Sequence, residues 1–531
     1  MPGAIIATSA AQERAHLYHD RLTPRSFLYS ALIAQAGFLF GYDLGITGGV
    51  TGMPQFLGLF FPEVAQAQQG AKKEQKSAYC TFDDAGLQAW TSSMFIAGAV
   101  TALVVAVFPK FFQKLGRKYT MMIGAVCFCI GAALQAAAQE LGMLIVGRLF
   151  LGVGIGLANQ VAPMYISETA NPSSRGGLNI MFQLATTMGI LIASGINYGV
   201  QDYVWGWRFS LGFACVFAAL FFLGTLISPD SPNSLLLNGK TEKATQVLQK
   251  IRGVSTADKA LQAELDDIQK AVTQTQSEQT SIFSGLASLT RRYPQILFAS
   301  IIIPIAQQFT GMNAIMFFAP QIFQVMGMGV RSSLLSSMIT NAVNMVATFV
   351  AIYVVDRQGR KPLFVVCGSI MSAMQIATGI LTAVTFTGVK IPTTAGIIMI
   401  VFICIFVSQF AASWGPLGWL VPSEMHPLQT RTAGQGINVF FNFLASFIIG
   451  QFFNTMLCSM QYGVFLFFAG CVIMNTLFAY ICLPETKGVP VEKIEEAWEG
   501  YPKFVPRRWR FHCTPSSLSD LQMHKLPKQD A

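Results

Sequence analysis

Along most of this chain apolar residues run on without the alternation of a strand or the single stripe of a soluble helix. Twelve runs of about 20 residues, the length that crosses roughly 30 Å of hydrocarbon, stand out at about 26–48, 86–108, 119–138, 143–165, 178–200, 208–228, 295–318, 333–355, 362–385, 394–420, 432–455 and 462–483. An open strand would leave backbone groups unpaired in lipid, so these runs predict transmembrane helices. The long polar interval falls after the sixth run, at 229–294. Within it Leu261, Leu265, Ile268 and Val272 recur at helical spacing with charges between them, which predicts short amphipathic helices.

Composition agrees with this pattern. Hydrophobic residues make up 53% of the 531 and charged residues 11%, against about 25% charged in an average soluble domain. That excludes a disordered chain and a string of soluble domains. The net charge of +9 is no nucleic-acid signature, because the basic residues sit in short patches between apolar runs. With the N-terminus placed in the cytoplasm, 28 of the 35 Lys and Arg fall in cytoplasmic segments and 5 in outer ones. The positive-inside rule therefore puts both termini in the cytoplasm. The reading is a polytopic all-α membrane protein in the lipid bilayer. It has a cytoplasmic tail (1–25), a first six-helix bundle (26–228) with a long outer loop (49–85), a cytoplasmic helical linker (229–294), a second six-helix bundle (295–483) and a second cytoplasmic tail (484–531).

The two halves echo each other. Gly116-Arg117-Lys118 is matched by Gly359-Arg360-Lys361, Ser167-Glu168 with Arg175 by Ser423-Glu424 with Arg431, and Pro229-Asp230-Ser231-Pro232 by Pro484-Glu485-Thr486-Lys487. The separations are 243, 256 and 255 residues, in the same order along the chain. This predicts a duplicated six-helix unit, an architecture that places a substrate near the bilayer midplane between the halves.

Chemistry inside the membrane is sparse. Asp43 is the one acidic residue well inside an apolar run, and Arg148 opens the fourth run at a compatible depth. An ionisable residue there is costly and marks function by default, either as a proton carrier or as a static ion pair between spans 1 and 4. Amides are the other polar feature: Gln183, Gln307, Gln308, Asn313, Asn344 and Asn442. An amide donates and accepts without charge, as a sugar hydroxyl does; each also suits interhelical hydrogen bonding. On a straight helix Gln307, Gln308 and Asn313 would not share one face, so Gly311 between them is a candidate break. The ten cysteines form no CxxC or zinc spacing, and no nucleotide-binding P-loop, HExxH or nucleophile constellation occurs. We expect no enzyme, no cofactor, no metal and no nucleic-acid partner.

The ordered set of Gly116-Arg117-Lys118, Gly147-Arg148, Pro163-Met164-Tyr165-Ile166-Ser167-Glu168, Pro229-Asp230-Ser231-Pro232, Gln307-Gln308-Phe309-Thr310-Gly311-Met312-Asn313, Asp356-Arg357-Gln358-Gly359-Arg360-Lys361 and Pro484-Glu485-Thr486-Lys487-Gly488 resembles the sugar porters of the major facilitator superfamily. Within it, Phe40-Gly41-Tyr42-Asp43, Tyr79-Cys80-Thr81-Phe82-Asp83 and the 414–424 stretch look most like plant and green-algal proton–hexose symporters. The resemblance covers about 26–500.

It implies proton-coupled uptake of a hexose such as glucose across the plasma membrane by alternating access. Asp43 would accept the proton and Arg148 would be its partner. The sugar would be held by Gln183, Gln307, Gln308, Asn313, Asn344 and Asn442, with Trp419 against its ring and Phe40 and Leu44 forming the wall beside Asp43. Arg117, Lys118, Glu168, Arg175, Arg360, Lys361, Glu424 and Arg431 would form salt bridges between the two bundles that latch the cytoplasmic side. A disulfide between Cys80 and Cys458 would tie the outer loop, as a lid, to the second half; two unpaired thiols are the alternative. One departure is Ala411, where facilitative animal carriers have a Glu eight residues before the Trp. A facilitative uniporter and a non-transporting sugar receptor share this scaffold and remain alternatives.

Overall fold

The computed structural model describes residues 22–70, 78–171, 174–255, 258–278, 289–290, 293–385, 392–426 and 430–485. Most of the two predicted tails therefore lies outside the described residues. Among the described residues the chain is helical throughout, with twelve helices long and apolar enough to cross a membrane. They are span 1 (Pro24–Val50), span 2 (Ala85–Val107), span 3 (Arg117–Ala136), span 4 (Leu141–Thr169), span 5 (Gly176–Val200), span 6 (Gly206–Ile227), span 7 (Pro294–Val325), span 8 (Val330–Val355), span 9 (Arg360–Thr385), span 10 (Thr393–Met425), span 11 (Ala433–Met460) and span 12 (Gly463–Cys482). The predicted runs match these spans to within a few residues, except that spans 4, 7, 10 and 11 continue further toward their C-termini.

Two six-span halves face each other. Span 2 packs along span 11 and span 5 along span 8, so equivalent pairs of helices build the junction between the repeats. Within the first half span 1 runs against span 5 at backbone contact. A Cβ added at Gly41 would lie 1.9 Å from the carbonyl oxygen of Thr186, and one at Gly45 would lie 2.7 Å from Ala193 Cβ. Lipid offers no hydrophobic drive between helices, so this close approach of small residues is what lets the two spans associate.

One end of the molecule carries the linker. Helices Pro232–Leu237, Thr241–Arg252 and Lys259–Glu278 follow span 6. Leu261 and Val272 of the predicted stripe are buried, with Leu265 and Ile268 packed partly buried beside Val272, Leu235 and Ala244. Arg252 docks these helices onto the end of span 4 by donating to the Thr169 carbonyl at 3.1 Å and to Glu264 at 2.6 Å. Cationic groups belong at a helix C-terminus, where carbonyls point outward unpaired. The opposite end carries the segment between spans 1 and 2, with short helices Pro54–Phe60 and Pro62–Gly70. We refer to the linker end and the lid end.

Spans 7 and 10 are each broken. Span 7 divides into Pro294–Gln308 and Met312–Val325. Gly311 between them has φ +82°, and a Cβ there would come within 2.7 Å of the Phe468 ring. The left-handed region is strained for any residue with a Cβ. Gly311→Ala is therefore expected to lower the melting temperature of the detergent-solubilised protein by several degrees. Gly329→Ala, where a Cβ meets nothing within 4 Å, is the control and should leave it unchanged. Span 10 divides into Thr393–Ala412 and Trp414–Met425, with Ser413 (φ −135°, ψ −91°) at the break.

Candidate functional site

The break in span 7 brings the predicted amides together. Gln307 donates to the carbonyls of Trp414 (2.9 Å) and Gly415 (3.0 Å), the first residues after the break in span 10. Its own amide oxygen accepts from Asn442 at 2.7 Å. Gln308 donates to Asn442 at 3.2 Å, and Asn313 donates to Gln308 and, at 3.4 Å, to Ser446. Four amides from spans 7 and 11 thus form one connected chain, with both broken helices ending on it. Connected amides of this kind orient one another, so each presents a fixed donor or acceptor.

The other predicted contacts lie at the margins of this chain. Gln183 comes from the opposite half, with its amide nitrogen 3.4 Å from where a Cβ at Gly415 would stand. Trp419 is buried with its ring 5.5 Å from that of Phe182. Phe40 and Leu44 are buried on span 1, and the Phe40 ring meets that of Phe443 of the second half at 5.8 Å. Asn344 is buried on span 8 but stands apart from the chain, its amide reaching Met316 Sδ at 3.9 Å. A small cavity at the lid end of this junction is lined by Gly45, Gly48, Ser194, Met316, Pro320 and Ser337, among others.

Asp43 and Arg148 do meet. Arg148 donates to Asp43 at 2.7 Å through one guanidinium nitrogen, and to the Thr47 hydroxyl at 2.7 Å through the other. Thr47 in turn donates to the Asp43 carbonyl at 2.7 Å. Trp90 of span 2 lies under the guanidinium, 4.2 Å from ring centroid to Cζ. Phe56 of the lid packs on Trp90, with ring centroids 5.0 Å apart. A continuous stack therefore runs from lid to ion pair. Thr47 and Trp90 are contributors that sequence reasoning missed. Thr47 was within reach, since i+4 from Asp43 shares its helix face; Trp90 is one of many aromatics in apolar runs and carries no such signal.

The lid closes across both halves. Cys80 and Cys458 are disulfide-bonded. Beside them Asp83 accepts from Thr455 at 2.7 Å and from Gln88 at 2.8 Å, and Asn454 donates to the Phe82 carbonyl at 3.0 Å. Asp83, Asn454 and Thr455 are further contacts that the sequence reading did not single out.

At the linker end the charges sit in equivalent places in both repeats. Arg117 bonds Glu168 at 3.2 Å, and Arg360 bonds Glu424 at 3.1 Å. Each of these pairs closes within one half, whereas the sequence expectation set them across the two. Spans 3 and 4, and spans 9 and 10, pack side by side within their own halves, so the nearest carboxylate to each Arg is the one at the end of the neighbouring helix. The side chains of Arg175 and Arg431 lie outside the described residues. Asp230 accepts from the backbone N–H groups of Arg117 (3.1 Å) and Lys118 (3.3 Å), while Glu485 does the same for Arg360 and Lys361 at 3.0 Å each. Both carboxylates sit on the open N–H groups that begin a helix. Burial pushes the Asp230 carboxyl up, and the Ser231 N–H and the Arg117 charge pull it back.

The family model described as Sugar (and other) transporter matches residues 29–498. The chain belongs to this family. It is 45% identical over 512 residues to Sugar transport protein 10 of Arabidopsis thaliana, covering 95% of this chain and 97% of that protein. It is 44% identical over 485 residues to H(+)/hexose cotransporter 2 of Parachlorella kessleri, covering 91% and 87%. Among solved structures, the proton:xylose symporter XylE bound to 6-bromo-6-deoxy-D-glucose superposes with a TM-score of 0.75 at 24% identity, covering 90% of this chain and all of that one. The inward open conformation of the xylose transporter XylE from E. coli gives 0.64 at 23% identity, covering 89% and 100%. These two likenesses carry the fold alone; the family match and the twelve long apolar helices make this a multi-pass membrane protein.

Proposed function

We propose that this sugar transporter moves a hexose such as glucose together with a proton, inward across the plasma membrane, by alternating access of its two halves, and that it catalyses no chemical reaction. The observation that carries the reading is the buried Asp43–Arg148 pair, whose Asp43 shares span 1 with Phe40 and Leu44, together with a chain of amides that suits sugar hydroxyls. A relative at 44% identity bears the name of a hexose cotransporter, which agrees with it. The linker end is taken as cytoplasmic, as are both termini.

In this reading Gln183, Gln307, Gln308, Asn313, Asn344, Asn442 and Trp419 hold the sugar between the halves, while Asp43 takes the proton from the lid side. Protonation removes the charge that holds Arg148, freeing span 1 to shift against the sugar site through Phe40 and Leu44. At the linker end Arg117, Lys118, Glu168, Arg175, Arg360, Lys361, Glu424 and Arg431 form the cytoplasmic gate. Intrahalf pairs such as Arg117–Glu168 and Arg360–Glu424 brace the helix ends that the gate brings together. The units 26–228 and 295–483 act as the two moving bodies, with 229–294 joining them.

Uptake of labelled monosaccharides by transporter-deficient cells at two external pH values tests the reading. Hexose uptake should exceed that of the other sugars and rise at the lower pH. Uptake of hexose that does not change with pH would remove the proton from the mechanism.

The lid makes a second, separable prediction. Phe56 and Trp90 shield the ion pair, and the disulfide holds that lid to span 11. Cys80→Ala should leave the half-saturating sugar concentration within about twofold while shifting the pH dependence of uptake toward acid, because solvent that reaches Asp43 favours its charged form. Complete labelling of both cysteines by an impermeant thiol reagent on the untreated protein would show that the bond does not form.

A further inference from the structure

Four amides that the sugar site does not use stand on the linker-end side of it. Asn159 of span 4, Asn179 of span 5 and Gln435 and Asn438 of span 11 are all buried, and among the described residues neither the oxygen nor the nitrogen of any of the four side chains has a hydrogen-bond partner. Other buried amides differ, although Gln321, toward the lid end of span 7, is likewise unpaired. Asn197 donates to the Gly45 carbonyl at 3.0 Å, and Asn341 donates to the Ser194 hydroxyl at 2.8 Å. Those two hold helices together; the four do not.

Their placement follows the internal repeat. Asn179 and Gln435 are 256 residues apart, as are Glu168 and Glu424, so they are the same position in the two halves. Asn179 precedes Gln183 by four residues and Gln435 precedes Asn442 by seven. At 100° per residue each shares its helix face with a central amide, offset by roughly 40° and 20°, and at 1.5 Å per residue they lie about 6 and about 10 Å nearer the linker end. Asn438 is one turn from Asn442 on the same span. Span 4 reaches span 11 at this level: a Cβ at Gly436 would lie 2.9 Å from the amide nitrogen of Gln160, the neighbour of Asn159.

We infer that Asn159, Asn179, Gln435 and Asn438 form a second hexose station on the exit side of the central site, engaged when the linker end opens. An unpaired buried amide is a standing cost to this conformation, which a purely structural position would avoid by carrying an apolar side chain. Donors and acceptors without charge match sugar hydroxyls and would not trap a departing proton. The path below the central amides thereby continues in the same chemistry, and sugar passes between two stations of like character. The inference rests on the proposed inward transport of hexose.

The test uses the full chain in right-side-out and inside-out membrane vesicles, with labelled D-glucose as the probe. Gln435→Met and Asn179→Leu, singly and together, keep the length of each side chain and remove the amide. The half-saturating D-glucose concentration from the linker side should rise about tenfold in the double variant, while that from the lid side stays within twofold. Melting temperature should hold or rise, because the amides replaced are unpaired in this conformation. An unchanged linker-side value overturns the inference, as does an equal shift on both sides. Loss of folded protein in both single variants overturns it too, since it would assign the amides a structural role. A wild-type protein with no D-glucose flux from either side would instead sink the transport reading beneath it.

Discussion

Asp43→Asn is expected to abolish accumulation of hexose against its gradient, while downhill flux and exchange persist. Asparagine keeps the shape of the side chain and still accepts a hydrogen bond from Arg148, now 2.7 Å from the carboxylate, but it carries no proton. With one proton per sugar, a pH difference of one unit supports about tenfold accumulation, because one pH unit is about 1.4 kcal/mol. In the variant that ratio falls to one. The variant also leaves Arg148 as a buried cation without its counter-charge, held by Thr47 and the Trp90 ring alone. Removing one partner of a buried pair costs about 3–5 kcal/mol, so a lower melting temperature accompanies the loss. Measuring flux and accumulation on the same amount of folded protein separates the two effects. Undiminished concentrative uptake would mean that the pair is a static bridge.

Replacing an amide of the central chain is expected to weaken sugar binding by up to two decades. Gln307→Leu removes the donor to Trp414 and Gly415 and the acceptor from Asn442; Asn442→Leu removes the link between Gln307 and Gln308. Each lost bond that leaves a buried partner unpaired costs about 1–3 kcal/mol, and about 1.4 kcal/mol is tenfold in affinity. The two effects should not add, because the residues share a network. Half-saturating sugar concentrations for Gln307→Leu, Asn442→Leu and the double variant give the coupling directly. Values that multiply in the double variant would show that the chain does not act as a unit. Asn344, which among the described residues bonds to the Met316 sulfur, should behave independently of both.

The spans were legible because lipid demands long apolar runs and nothing in a soluble domain imitates twelve of them. The duplication was legible in the charged loops, where the same short motifs return in the same order. What the sequence left obscure came from packing. Gly311 signalled a break in span 7, since only glycine takes its φ of +82° freely, but the break at Ser413 in span 10 has no comparable residue. The union of Gln307, Gln308 and Asn313, which helical geometry forbids on a straight span, depends on that bend in span 7. Trp90 beneath Arg148 was hidden among other aromatics. The linker-end charges misled for a plain reason: four similar Arg–carboxylate choices exist at each repeat position, and only the side-by-side packing of spans 3 and 4 decides that Arg117 meets Glu168. Asn159, Asn179 and Asn438 were passed over because a lone amide in an apolar run usually bonds a neighbouring helix, and these do not.

The central claim is that sugar and proton cross together. It is tested most directly by purified protein in liposomes loaded with a pH-sensitive dye, with the lid end outward and no imposed gradient. Adding D-glucose outside should acidify the lumen and make the medium more alkaline, in proportion to the sugar taken up, and the Asp43→Asn protein should take up sugar with no pH change. Uptake of labelled D-glucose by the wild-type protein without any movement of protons would contradict the account.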